Sequence, residues 1–180
     1  KGPHIETPEA VWQSARKLEL EVDTHNGDPR FYKLSLQDPA LAASMPEGQV
    51  SPALSGPLIV LEQGQPVEIA VVNRLDVPTA IHWHGMELES YYDGVPIISG
   101  IGDMRAPPVG PGRRFVARMT PPRAGTLMYH TGFNVMKQEA LGLSGAFVIH
   151  PRRQERKIDK DFALVLQQWT FQPGNPNPNI

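Results

Sequence analysis

The chain has 180 residues, 40% hydrophobic and 20% charged, with a formal net charge of −2; that length suits one domain with a sizeable core and is short for two. The balance leaves no basic footprint for a nucleic-acid partner, and no apolar run reaches the roughly 18 residues that a membrane-spanning helix needs. Cysteine is absent, which excludes disulfides, thiolate metal sites, cysteine nucleophiles and, within this chain, the His-and-Cys ligand set of a blue-copper centre.

Residues 1–17 are expected to form an N-terminal extension. Lys1-Gly2-Pro3-His4 carries no signal-peptide core, so either the protein is cytosolic or a leader has been removed. Leu18-Glu19-Leu20-Glu21-Val22 alternates apolar and charged residues as a half-buried strand does. The turn signal Asn26-Gly27-Asp28-Pro29 and a second strand, Phe31 to Leu36, follow, so the two strands can form a hairpin. Residues 37–56 are small and turn-prone and read as a loop, with a helical turn at Pro39 to Ser44.

Strands are expected at Pro57 to Glu62, Pro66 to Asn73 and Ala80 to Gly85. The Pro- and Gly-rich stretch 89–113 reads as a long irregular loop, and such loops in compact domains are usually functional or mobile. Arg114 to Met119, Gly125 to His130, Ser144 to His150 and Phe162 to Trp169 complete the strands, and the Pro/Asn-rich tail from Gln172 reads as a linker. Many short strands, irregular loops and little helix point to a β-sandwich or barrel. The 19 prolines and 16 glycines, spread between the apolar stretches, fit the same reading.

The informative segment is Thr79-Ala80-Ile81-His82-Trp83-His84-Gly85. Residues two apart on a strand face the same side, so His82 and His84 present two imidazoles together while Trp83 points the other way, into the core. Neutral imidazole suits copper, zinc, iron and nickel. A bare His-x-His is as often an ordinary pair on a strand. Here it precedes an aromatic-acidic loop, Tyr91-Tyr92-Asp93-Gly94-Val95-Pro96, and a third histidine, His130, ends a later strand.

Taken in order, Val71-Val72-Asn73-Arg74-Leu75, His82-Trp83-His84-Gly85, Tyr92-Asp93-Gly94-Val95-Pro96, Gly125 to His130 and Gly142 to Ile149 resemble the first cupredoxin domain of laccase-like multicopper oxidases. The resemblance runs from about Pro57 to Pro151. It implies an all-β, cupredoxin-like Greek-key sandwich or barrel over residues 18–170, with 171–180 a linker to a further domain. It also implies a share in a trinuclear copper centre that reduces O2 to water while the whole enzyme oxidises phenols, aromatic amines or metal ions. By this resemblance His82 is a type 2 copper ligand and His84 and His130 are ligands of one type 3 copper. The resemblance likewise implies that Asp93 assists proton delivery, where a lone Asp-Gly would read simply as a turn. Further cupredoxin domains, in cis or in trans, supply the remaining ligands and the type 1 copper that this chain lacks. Location outside the cytoplasm, periplasmic or secreted, follows from the same resemblance.

One position departs from the family pattern. A histidine is called for two residues after His130, and Gly132 stands there. Three explanations compete: a site degenerate at one copper, a replacement ligand (His150, Asn134, Met136 or Glu139), or an altered position. The departure favours an alternative reading, a degenerate, non-catalytic copper-binding or interaction domain. A two-domain nitrite reductase-like enzyme is disfavoured by the absent cysteine. His4 and His25 are expected to be solvated, and His150 to be structural.

Overall fold

The computed structural model describes residues 8–25, 27–38, 49–50, 55–168 and 173. The helical turn expected at Pro39 to Ser44, His4 and nearly all of the tail lie outside them. The described elements are α1 (Glu9–Gln13), β1 (Arg16–His25), β2 (Asp28–Gln37), β3 (Gln49–Val50), β4 (Ile59–Glu62), β5 (Val67–Asn73), β6 (Ile81–His84), a 3-10 turn (Ser90–Asp93), β7 (Gly100–Ile101), β8 (Met104–Arg105), β9 (Arg114–Met119), β10 (Gly125–Thr131), α2 (Val135–Ala140) and β11 (Ser144–His150).

The strands form two main sheets, β3-β2-β1-β5-β9 and β4-β11-β10-β6, with β7-β8 a separate small hairpin. β1 and β2 pair as the expected hairpin. β1 lies parallel to β5, and β4 parallel to β11, whereas the other pairings are antiparallel. The result is the all-β sandwich that the punctuation of the sequence implied.

One continuous core lies between the sheets. Leu20 and Val22 of β1, Ile69 and Val71 of β5 and Met119 of β9 meet Ile59 and Leu61 of β4, Trp83 of β6, Tyr129 of β10 and Phe147 of β11. Trp83 is completely buried, with its ring centroid 5.8 Å from Phe147 and 6.2 Å from Tyr129. Tyr129 donates its hydroxyl to the Pro57 carbonyl at 2.8 Å, and burial pushes its pKa well above the usual phenol value.

Several local expectations change: the stretches read as loops carry β3 (within 37–56) and the 3-10 turn and β7-β8 hairpin (within 89–113). α1 stands within the stretch read as an extension, with Trp12 buried and the Arg118 guanidinium 5.5 Å from its ring centroid. α2 forms where the sequence pattern signals no element. The strand expected at Phe162 to Trp169 does not form over residues 162–168, which carry no regular structure. Phe162, Leu164 and Leu166 are instead exposed. Apolar β-formers make a strand only when a partner satisfies their backbone groups, and no strand pairs with this segment among the described residues.

Candidate metal centre

The site grows from two neighbouring strands at one edge of the smaller sheet. In β6, Ile81 and Trp83 point into the core, so His82 and His84 point out, with His84 exposed. In β10, Tyr129 and Thr131 are buried, which turns His130 outward. The register sets Tyr129 opposite Trp83 and His130 opposite His82. Period-2 geometry on two antiparallel strands therefore gathers three imidazoles on the outer face.

One ligand nitrogen from each of His82, His84 and His130 lies within 4.8 Å of the other two. His84 Nδ1 is 3.2 Å from His130 Nε2. Two basic nitrogens that close require a proton or a cation between them. His130 Nδ1 lies 2.9 Å from the Thr131 carbonyl, so it is the protonated nitrogen and Nε2 keeps its lone pair. His82 Nδ1 lies 3.2 Å from the Asp93 carbonyl and 3.1 Å from Asp93 Oδ1; both are acceptors, so Nδ1 donates and Nε2 is free. Outer groups that fix the tautomer in this way are the usual support of metal-binding imidazoles. The donor set, three imidazoles of which His82 and His130 are oriented from behind, fits copper.

Asp93 sits at the end of the 3-10 turn. Its Oδ2 accepts from Ser99 Oγ at 3.0 Å, and Ser99 Oγ accepts from the Val95 N–H at 3.0 Å. Ser99 is buried and was not foreseen; a serine six residues beyond an acidic turn carries no signal of its own. Gly94 follows with φ +81°, and a Cβ there would lie 1.9 Å from the Ile81 carbonyl oxygen. The loop thus seats its backbone directly on β6, a close approach that only glycine permits.

Position 132 is part of the same seating. The Gly132 N–H donates to the Ala80 carbonyl at 2.9 Å. A Cβ at 132 would lie 2.8 Å from the Gly94 carbonyl oxygen and 3.3 Å from Val95 Cα. The space next to the Gly132 Cα is filled by backbone.

Among the described residues the metal-capable cluster holds His82, His84 and His130 alone, without His150 or Glu139. His150 pairs with Glu62 at the end of β11, Met136 is 76% exposed on α2, and Asn134 is the left-handed residue preceding that helix. His25, at the end of β1, is exposed.

Residues 48–154 match the family model described as multicopper oxidase. The chain is 36% identical over 124 residues, 67% of its length, to copper resistance protein A of Pseudomonas syringae pv. tomato, covering 19% of that protein. It is 29% identical over 159 residues, 88% of its length, to multicopper oxidase MmcO of Mycobacterium tuberculosis, covering 29% of that protein. A multi-copper oxidase from Pseudomonas thermotolerans superposes with a TM-score of 0.54 at 28% identity, over 77% of this chain and 29% of that one. The chain belongs to the multicopper oxidase family, and its sandwich is of the cupredoxin kind. It spans about a fifth to three tenths of the length of these curated relatives.

Proposed function

We propose that this chain is the copper-binding domain of a laccase-like multicopper oxidase that supplies His82, His84 and His130 to a trinuclear copper centre. The observation that carries the reading is the convergence of three oriented imidazoles on an open sheet face. His82 Nε2 would hold the type 2 copper. His84 Nδ1 and His130 Nε2 would share one type 3 copper. Their 3.2 Å separation supports this, because one ion held by both imidazoles needs the two nitrogens that near. Copper there would supply the one-electron chemistry that takes O2 to water.

Asp93, beside His82, would act as the acid–base group that relays protons toward oxygen. Ser99, donating to Oδ2, keeps the carboxylate turned to that imidazole. The remaining ligands, the type 1 copper and the substrate site would come from further cupredoxin domains, in cis or in trans. Phenols, aromatic amines or metal ions are the proposed substrates, and the proposed location is outside the cytoplasm.

The alternative, a copper-binding domain without turnover, draws its support from Gly132. Metal analysis and electron paramagnetic resonance on the protein with its native neighbouring sequence separate the two. Three cluster coppers with O2 consumption are expected. One weakly held copper and no O2 uptake would overturn the oxidase reading.

A further inference from the structure

Behind the imidazoles, on the opposite face of the smaller sheet, a buried polar cluster joins the two strands that carry them. Gln138 of α2 is 1% exposed, and Thr79 and Thr131 are fully buried. Gln138 Oε1 lies 2.8 Å from Thr79 Oγ1 and 2.8 Å from Thr131 Oγ1, placed to accept from both hydroxyls. Gln138 Nε2 donates to the Pro78 carbonyl at 2.8 Å. Thr131 Oγ1 also lies 2.7 Å from the Phe133 carbonyl, so its single proton serves one of these two acceptors at a time.

The placement ties this cluster to the site. Thr79 stands three residues before His82, and Thr131 directly follows His130. Thr131 is also the residue whose carbonyl faces His130 Nδ1. One side-chain amide therefore reaches the chain entering β6, the end of β10 and, through Thr131, the group that orients a ligand. A leucine would fill the same space as a core residue with no polar atoms to satisfy. A buried amide with several geometric demands tolerates one arrangement of its neighbours, and such satisfied networks specify a unique packing.

We propose that Gln138 is a positioning residue for the metal centre, fixing β6 against β10 and holding the Thr131 carbonyl under His130; this rests on the reading that the three imidazoles hold copper. Gln138 touches no metal. Its effect travels through Thr79 and Thr131.

The test titrates copper into the copper-depleted protein, with its native neighbouring sequence, and reads affinity by chelator competition and the resonance spectrum of the bound ion. Q138L should weaken copper binding about 10-fold or more, the scale seen when outer-shell partners are removed, and should change the spectrum. T79V/T131V should reproduce this, and T79S/T131S, which keeps both hydroxyls, should restore wild-type binding. L61A, a cavity on the distant strand β4, should lower the melting temperature without moving copper affinity or spectrum. Wild-type affinity and spectrum in Q138L would overturn the proposal; if Q138L does not fold, the same result in T79V/T131V would do so. Wild-type affinity in H130A would overturn the copper-site reading itself, and with it this proposal.

Discussion

Asp93 touches His82 through two different atoms, its backbone carbonyl and one carboxylate oxygen. The carbonyl holds the imidazole tautomer whatever the side chain is, so the two jobs separate on mutation. D93N should keep copper content near wild type and lower O2 turnover by about 10²-fold, the lower end for a lost acid-base group; oxygen-electrode rates normalised to copper measure this. At this scale much was legible. The period-2 rule placed His82, His84 and Trp83 correctly on their faces. His130 joined them only because its strand pairs with β6, a long-range choice that local pattern does not encode. Ser99, Thr79 and Gln138 were illegible, since each acquires its role from a partner distant in the chain or across a loop.

At the scale of elements, Tyr129 shows how the β10–β11 pairing is made specific. Its hydroxyl reaches Pro57, and its ring lies over Gly145 of the neighbouring strand, where a Cβ would come within 2.4 Å of ring atoms. G145A should therefore destabilise the domain by about 1–3 kcal/mol through overpacking, read as a lower urea midpoint at unchanged slope. Strands with clean turn punctuation, such as Arg114–Met119 and Ser144–His150, are readable to the residue. The two short helices are not: α1 and α2 span five and six residues, too few for the 3.6-residue period to repeat, and α2 is pinned by the tertiary bonds of Gln138. Phe162 to Leu166 fails in the opposite direction, because propensity without a pairing partner makes no strand.

At the scale of the whole molecule, the metal site and the core occupy opposite faces of one sheet. None of the three imidazoles belongs to the buried cluster that joins the two sheets. The sandwich should thus fold without copper. Calorimetry in chelator should retain a cooperative transition, and copper at about 100 times its dissociation constant should add about 2.7 kcal/mol by mass action alone; loss of the transition on chelation would show the metal to be structural. Ile81, Gly94 and Gly132 bring three remote backbone segments into contact, and the Gly94 carbonyl stands where a side chain at 132 would begin. Installing a fourth imidazole is consequently a two-site engineering problem: the ligand must be written at 132 and the loop that bears Asp93 must be re-seated, so a gain in coordination would be traded against the grip on His82.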